Sequence, residues 1–382
     1  MIIINGLIYK TEGCFEKGTV HIDECGRISD ITYGNSNITA DDAVIDAEGM
    51  YVIPGLIDIH FHGCYGNDLC DADEDGLREM LMYELKSGIT SVCPASMTYN
   101  EEKLTEIFAE VKNFIENNSD KDCATIHGIN MEGPFISHNK KAAQNGKFIC
   151  DPDIDMFDRV RKASGDNIKL VTVAPEISGA LDFIKEASKY AHVSLGHTCA
   201  TYEEAMSGFK AGASHVTHFY NGMSSFEHRH PGLIGAASDN DSCFVELIAD
   251  GIHTSYSAIR MAMKLIGGER LVLISDSMRA CGMPDGLYEL GGQRVIKEGN
   301  RATLEDGVIA GSVCNLMDCV RNIVHNVGIP FSTAIKCATV NPAKAIDIFD
   351  NYGSIDVGKK ADIVIVDDSL NITNIIKGGR II

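Results

Sequence analysis

Apolar segments alternate with helical patterns from Tyr51 to about Ala345, and this alternation restricts the fold more than any other feature of the chain. Strands that alternate with helices are typical of a parallel sheet, and eight of them favour a closed (β/α)8 TIM-like barrel. An open doubly wound sheet is the alternative, but no Gly-x-Gly-x-x-Gly turn follows the first strand. The eight strand candidates are residues 52–62, 91–98, 125–132, 169–175, 192–198, 214–220, 243–250 and 270–276.

The two ends of the chain have a different sequence pattern from the middle. They show short strand patterns separated by turns such as Asn5-Gly6 and Cys25-Gly26. We therefore expect one small composite β-sandwich domain made of residues 1–53 and 347–382. The barrel, residues 54–346, would lie between its two parts. Residues 277–308, after the eighth strand, are long and rich in Gly, so we expect them to be functional or to carry a hairpin.

One helix has both of its ends marked in the sequence. Thr201 and Glu204 form the Thr-x-x-Glu pattern of a capping box, in which each side chain caps the other's backbone N–H. Gly212 is a suitable residue to end the helix, because it adopts left-handed backbone conformations without a steric penalty. A helix is therefore predicted between these residues.

Charge and cysteine content exclude several classes of protein. The chain carries 33 Lys and Arg against 54 Asp and Glu, a net charge of −21, with no basic stripe to neutralise phosphates. Binding to nucleic acid or to an anionic membrane is therefore not expected. The 13 Cys residues include no Cys-x-x-Cys pair and fit buried thiols in a reducing compartment. No apolar run reaches about 18 residues, and the N-terminus lacks a basic region, so a cytoplasmic location is expected.

Ionisable side chains occupy the carboxyl ends of five predicted strands, where barrels carry their reactive residues. Taken singly, each has a structural interpretation, since a strand-end His is usually only hydrogen-bonded and a strand-end Asp can cap a helix. Together, four imidazoles and two carboxylates are the ligand set of a zinc-type or iron-type centre with an open water position. These residues are His60 and His62 on strand one, Glu132 on strand three, His197 on strand five, His218 on strand six and Asp276 on strand eight. His127, His192 and His215 lie earlier in their strands and are interpreted as structural.

The motifs around these residues resemble those of the amidohydrolase superfamily and, within it, the N-acetylglucosamine-6-phosphate deacetylase family. The more specific motifs are Glu-Gly-Pro at 132–134, His-Arg-x-Pro-Gly at 228–232 and Asp-Gly-x-His at 250–253. Residues 353–367 resemble the closing β segment of many amidohydrolases. The resemblance extends over essentially the whole chain.

The resemblance implies a role for each of these residues. Glu132, His197 and His218 would hold the principal divalent metal, His60 and His62 would hold a second one, and Asp276 would act as general base and acid. Zinc is the metal expected first, with iron, manganese and cobalt as alternatives. Substrate contacts are implied for Ala143, Gln144, Asn221, Gly222, Arg229, His253, Ile309, Ala310, Gly311 and Ser312.

One position departs from the pattern of some relatives. They carry a His in the loop after Glu-Gly-Pro to polarise the amide carbonyl, where this chain has Ala142-Ala143-Gln144. Gln144 can donate a hydrogen bond from its amide but cannot shuttle a proton. The role of this residue in the reaction is therefore left open by the resemblance.

The activity implied is hydrolysis of N-acetyl-D-glucosamine 6-phosphate, a small amino-sugar phosphate, to D-glucosamine 6-phosphate and acetate. Deacetylation of the galactosamine epimer and deamination of a nucleobase on the same scaffold are the alternatives. A scaffold without activity is disfavoured because all six ligand and catalytic positions are filled. The family also implies a homodimer, in which Arg229 and a neighbouring His of one subunit close on the sugar phosphate held by the other.

Overall fold

The computed structural model describes residues 1–34, 43–117 and 122–382. Its first five strands belong to one sheet: β1 (Ile2–Lys10), β2 (Cys14–Ile22), β3 (Ile28–Tyr33), β4 (Val44–Asp46) and β5 (Tyr51–Pro54). The sequence predicts a turn at Asn5-Gly6, but β1 continues through it with a local irregularity in register and a φ of 55° at Asn5. A Cβ on Gly6 would lie 2.3 Å from Val52 Cγ2, so the close approach of β5 requires glycine there.

The middle of the chain supplies a second set of strands and ten α-helices among the described residues. The strands are β6 (Leu56–Asp58), β7 (Gly63–Cys64), β8 (Asn67–Asp68), β9 (Ile89–Val92), β10 (Ala95–Ser96), β11 (Thr125–Ile126), β12 (Ile129–Glu132), β13 (Ile168–Val173), β14 (His192–Leu195), β15 (His215–Val216), β16 (Phe244–Ile248) and β17 (Leu271–Ile274). The helices are α1 (Glu74–Lys86), α2 (Glu101–Asn117), α3 (Ile154–Ala163), α4 (Ala180–Ala187), α5 (Tyr202–Ala211), α6 (Gly232–Asp239), α7 (Tyr256–Ile266), α8 (Leu316–Asn322), α9 (Phe331–Ala338) and α10 (Val340–Ala345).

Ten of these strands form two parallel runs that together make a curled parallel sheet, while β7 and β8 pair with each other antiparallel. All pairings within the runs β6–β9–β11 and β10–β12–β13–β14–β15–β16–β17 are parallel. Just beyond β17, Asp276 N–H donates to His60 O at 2.9 Å, and His62 N–H donates to Ser277 O at 2.7 Å. The first and last strands of the curl therefore meet at their carboxyl ends. Strands such as β6 and β17 are buried throughout, as expected for a parallel sheet covered on both faces.

The eight predicted strands each contain a described strand, but the observed strands are shorter. The candidate at 52–62 is divided, because Tyr51–Pro54 pairs with the terminal strands and only Leu56–Asp58 enters the parallel sheet. The predicted capping box is confirmed: α5 begins after Thr201, both reciprocal bonds with Glu204 are present, and the helix ends at Gly212. No helix of the described residues is long and apolar enough to cross a membrane.

The segment after β17 carries the hairpin predicted for it. Strands β18 (Gly286–Leu290), β19 (Gln293–Glu298) and β20 (Arg301–Leu304) form a small antiparallel sheet. The chain then closes with β21 (Ile363–Val366), β22 (Ile372–Lys377) and β23 (Arg380–Ile381).

Strands from both ends of the chain share the terminal sheet. Its order is β23-β22-β21-β5-β1-β2-β3, with β4 beside β1, so strands from both ends of the chain are connected through one hydrogen-bonded sheet. Apolar side chains from both ends, including Ile3, Val20, Ile363 and Ile376, pack into one core against this sheet.

A buried ion pair fastens the terminal sheet to the parallel sheet. Lys377 Nζ, on β22, donates to Asp362 Oδ2 at 2.7 Å, to Thr90 O at 2.9 Å and to Thr125 Oγ1 at 2.6 Å. Asp362 and Lys377 are both buried. Each charge therefore depends on the other, since neither has access to much water.

We predict that Asp362→Ala lowers the free energy of unfolding by about 3–5 kcal/mol, because it leaves the Lys377 ammonium buried without its counter-charge. Urea denaturation followed by circular dichroism measures the change. Lys10→Ala is the control, because the ion pair of Lys10 with Glu16 lies at the surface. This variant should leave the urea midpoint nearly unchanged. Equal effects of the two variants would contradict this account of the junction.

Candidate active site

The predicted metal ligands and Asp276 lie where the chain leaves the carboxyl ends of the parallel strands. Three of them adopt left-handed backbone conformations, with φ values of 47° at His197, 25° at His218 and 48° at Asp276. Such conformations are strained for residues other than glycine and cluster at functional sites. Here the backbone turns immediately after a strand and directs each side chain into the mouth of the curled sheet.

Glu132 lies at the centre of this group, and its side chain is almost completely buried. Its Oε1 atom is 3.1 Å from His197 Nε2, 3.0 Å from His218 Nε2 and 3.4 Å from His60 Nε2. Its Oε2 atom is 3.3 Å from His62 Nε2. One carboxylate is therefore close to all four imidazoles.

The four rings share the same orientation, with Nε2 directed to Glu132 and Nδ1 bonded to an acceptor outside the cluster. A neutral imidazole that donates from Nδ1 presents a lone pair on Nε2, which is the form that binds metal. The Nδ1 partners are Glu246 for His60 at 2.9 Å, Ala95 O for His62 at 3.1 Å, Lys140 O for His197 at 2.7 Å and Asn221 O for His218 at 3.0 Å.

These residues fit a divalent metal. His197 Nε2 and His218 Nε2 are only 3.1 Å apart, so their lone pairs would repel unless a cation or a proton lies between them. His60 Nε2 is buried and has no hydrogen-bond partner within the described residues. Two trios have their ligand atoms within 4.8 Å of one another, His60–His62–Glu132 and Glu132–His197–His218. Imidazole nitrogen with carboxylate oxygen is a donor set that suits zinc and related ions.

The electrostatics of the cluster agree with cation binding. Burial opposes a charge on His60, but Glu246 and Glu132 nevertheless raise its pKa well above the usual range. Burial likewise opposes ionisation of the two acids, yet the imidazoles lower the pKa of Glu132 and of Asp276. The carboxylates are therefore charged at neutral pH, and positive charge must balance them.

A cavity of about 110 Å³ opens onto this cluster. Besides His62, Glu132, His197, His218 and Asp276, it is lined by most of the residues predicted to contact substrate: Ala143, Gln144, Asn221, Gly222, His253, Ile309, Ala310 and Gly311. Two predicted substrate residues, Ser312 and Arg229, do not line it. Ser312 supports the rim instead, because its N–H donates to Asp276 O and its hydroxyl donates to Ser275 O.

Arg229 lies outside this cavity. It is exposed on the loop after β15 and lines a separate space of about 730 Å³, together with Lys140, Tyr202 and His230. Phe226, on the same loop, has 56% of its surface exposed. Within one chain, the guanidinium therefore does not form part of the cavity wall.

Glu246 is a functional residue that the sequence interpretation missed. Its Oε2 atom accepts from His60 Nδ1 at 2.9 Å and from His218 N–H at 3.1 Å, and its Oε1 bonds His215 Nε2 at 3.1 Å. His215, interpreted as structural, therefore supports the acid that orients two predicted ligands. A signal was present, since Glu246 is the one charged residue of the strand Phe244–Ile248, and a buried charge requires partners.

His253 is held as a cation in the cavity wall. Its Nδ1 is 2.7 Å from Asp250 Oδ2, and its Nε2 is 2.8 Å from Ala310 O. A carboxylate and a carbonyl can only accept, so both ring nitrogens donate and the ring is protonated. Burial lowers the pKa of His253, but Asp250 outweighs it, so that the pKa is raised.

The sequence is similar to known hydrolases. The sequence profile of the Amidohydrolase family matches residues 51–382. An N-acetylglucosamine-6-phosphate deacetylase of Bacillus subtilis (strain 168) is 35% identical over 383 residues, covering 100% of this chain and 96% of that protein. An N-acetylgalactosamine-6-phosphate deacetylase of Escherichia coli O157:H7 is 32% identical over 335 residues, covering 87% of this chain and 88% of that protein.

The fold is also similar to a solved structure. The structure of a mutant N-acetyl-D-glucosamine-6-phosphate deacetylase from Mycobacterium smegmatis, in complex with N-acetyl-D-glucosamine-6-phosphate, matches with a TM-score of 0.93. The match covers 100% of this chain and 98% of that one at 28% sequence identity. The similarity therefore includes both the terminal sheet and the parallel sheet.

We predict that an NMR titration of the His253 imidazole gives a pKa above the ordinary value of about 6.5, and that Asp250→Asn lowers it. Because folding raises this pKa, the pair stabilises the folded chain fully below about pH 6.5, and the contribution is lost as the pH rises through the folded value. Asp318→Asn is the control, because Asp318 bonds Arg321 and has no described contact with His253. A wild-type pKa at or below 6.5 would show that the ring is neutral.

Proposed function

The chain belongs to the Amidohydrolase family, and on this basis we propose that it hydrolyses N-acetyl-D-glucosamine 6-phosphate to D-glucosamine 6-phosphate and acetate. One observation carries the proposal: four inward-facing imidazoles surround Glu132 at the base of a small cavity that Asp276 also lines. Full-length similarity to deacetylases for this substrate supports the choice of an acetamide as the group that is cleaved.

A divalent metal fits the ligand set, and we propose two positions for it. Glu132, His197 and His218 would hold the principal ion, and His60 and His62 would hold a second ion together with Glu132. When bound, such an ion lowers the pKa of water from 15.7 towards about 7 and polarises a carbonyl. Zinc suits these donors best, and iron, manganese and cobalt are the alternatives that metal analysis would distinguish.

Asp276 is proposed to move the proton. Its Oδ1 atom is 3.3 Å from His62 Nε2, and its lowered pKa leaves it ionised at neutral pH. An ionised carboxylate can accept the proton of the attacking water as the new C–O bond forms at the acetamide carbonyl. The same group then gives that proton to the nitrogen as the C–N bond breaks, so that acetic acid and the free amine leave, and proton exchange between them in water gives acetate and the ammonium form.

The cavity suits an acetamide at the base of the site. Met97, Ala143 and Leu290 provide apolar wall beside the metal ligands, where we place the acetyl methyl group. The backbone segment 309–311 and the protonated His253 provide polar groups in the same lining, towards which the sugar is proposed to extend.

We further infer that the curled sheet closes as a (β/α)8 barrel of residues 54–346. The rim hydrogen bonds between the chain after β17 and the chain after β6 support this closure. The antiparallel pairing of β21 with β5 supports a small composite β domain made of residues 1–53 and 347–382. The thirteen cysteines, which are present as thiols, support a cytoplasmic location.

We also propose a homodimer with shared active sites, in which Arg229 of one subunit binds the phosphate held by the other. The exposure of Arg229 and Phe226 on a loop outside the small cavity supports this arrangement. A guanidinium can bind a phosphate through two parallel hydrogen bonds, and closed two-fold dimers are the commonest assembly of soluble proteins.

Acetate release from both N-acetylhexosamine 6-phosphates, and from unphosphorylated N-acetylglucosamine, tests the proposed reaction. We expect the glucosamine epimer with phosphate to be the best substrate, and loss of phosphate to lower kcat/KM strongly, because remote binding energy positions the acetamide. Metal-analysed protein without acetate release from any of them would overturn the proposal. A preference for the galactosamine epimer would correct the substrate alone.

Asp276→Asn should reduce turnover by roughly 10²–10⁴-fold, because it preserves the size of the side chain but removes the base. Steady-state kinetics with metal analysis of the same preparation measures both effects. Metal content should stay at the wild-type level, which separates loss of the base from loss of the ion. Near-normal turnover would mean that another group moves the proton.

Mixing two damaged variants tests the shared site. Asp276→Asn and Arg229→Ala should each be weakly active alone, and activity should return when their subunits exchange. A mixed dimer would contain one doubly damaged site and one intact site, in which Asp276 of one chain meets Arg229 of the other. No recovery despite verified exchange, or a monomer in sedimentation at assay concentration, would contradict the shared site.

A further inference from the structure

Gln144 makes two hydrogen bonds that fix its side-chain amide against the candidate metal centre. Its Oε1 atom accepts from Thr98 N–H at 2.7 Å, and its Nε2 donates to Glu132 Oε2 at 2.5 Å. The orientation of the amide follows from these partners, because a backbone N–H can only donate and an ionised carboxylate can only accept. The side chain is 3% exposed, so water does not compete freely for either bond.

The bond from Gln144 distinguishes the two oxygens of Glu132. Oε1 faces three imidazoles, those of His197, His218 and His60, at 3.1, 3.0 and 3.4 Å. Oε2 faces His62 at 3.3 Å and is the oxygen to which Gln144 donates. Rotation of the carboxylate about its own axis would break the bond from Gln144, so the amide keeps Oε2 beside His62.

The same short segment anchors both neighbours of Oε2. His62 Nδ1 bonds Ala95 O, and Gln144 Oε1 bonds Thr98 N–H, so both side chains are attached to the end of β10 and the residues just after it. His197 and His218 are attached elsewhere, to Lys140 O and Asn221 O. His62 and Gln144 therefore share a support that His197 and His218 lack, whereas His60 is held by Glu246, which also bonds His218 N–H.

We propose that Gln144 is a positioning residue for the metal centre: it holds Glu132 with Oε2 beside His62 and Oε1 towards the other three imidazoles. It thereby sets the affinity of the His60–His62 position for its ion. The inference rests on the proposed function only in taking the cluster to bind metal. It differs from a direct role of Gln144 on the acetamide, because one of the two amide N–H groups is already engaged by Glu132.

Zinc titration of metal-free protein by isothermal calorimetry tests this role without any substrate. Gln144→Met keeps the length of the side chain but removes both hydrogen bonds. We expect the first equivalent of zinc to bind as in the wild type and the second to bind about 10–100-fold more weakly. This is the loss of affinity that typically follows removal of a residue that holds a metal ligand in place. Gln293→Met is the matched control. Gln293, on β19, donates to the backbone carbonyl of Ala143, which is next to Gln144, and it has no described contact with Glu132.

A second variant and a kinetic measurement separate the outcomes. Gln144→Asn retains an amide but is too short to span from Thr98 to Glu132, so it too should weaken the second equivalent. Two equivalents with wild-type affinity in both variants, together with a raised KM, would overturn the proposal and make Gln144 a substrate ligand. A single equivalent in the wild type would also overturn it. Loss of the second equivalent in a protein that releases no acetate would support this role while refuting the proposed reaction.

Discussion

The structure depends on one buried carboxylate, that of Glu132, which lies within 3.4 Å of four imidazoles. A charge so deeply buried is stable only if opposite charge and hydrogen bonds surround it. The imidazoles meet this need because each is held by its Nδ1 atom and directs Nε2 inward. The curled sheet is the scaffold that brings these imidazoles, from the ends of three separate strands, to one carboxylate.

A second layer of polar residues holds Glu132 and the four imidazoles in place. Glu246 lies beneath His60 and His218 and is itself bonded by His215, while Gln144 reaches Glu132 from the other side. These groups are buried, so each would be costly if any partner were removed. Left-handed backbone at His197, His218 and Asp276 adds local strain that the surrounding sheet sustains. Rigidity around this cluster is thus obtained at some expense of local stability.

The sequence indicates the cluster because a single rule applies to it: the carboxyl ends of neighbouring parallel strands meet at one rim. That rule needs only the strand order, so His60, His62, Glu132, His197 and His218 are accessible to sequence reasoning. The role of Glu246 is not, because its partners are His residues on two other segments of the chain. Gln144 shows the same limit, since its orientation depends on the N–H of Thr98, which only the folded chain brings near. Arg229 lies on an exposed loop, and the sequence pattern of one chain cannot show which groups of a second subunit would contact it.

The central claim is that Glu132 joins two ligand trios around divalent ions. Anomalous diffraction at the zinc edge, from crystals grown with zinc and without chelator, tests it most directly. The account predicts one peak bounded by Glu132, His197 and His218, and a second peak bounded by Glu132, His60 and His62. Zinc bound only at other residues, with Glu132 coordinating no ion, would contradict it.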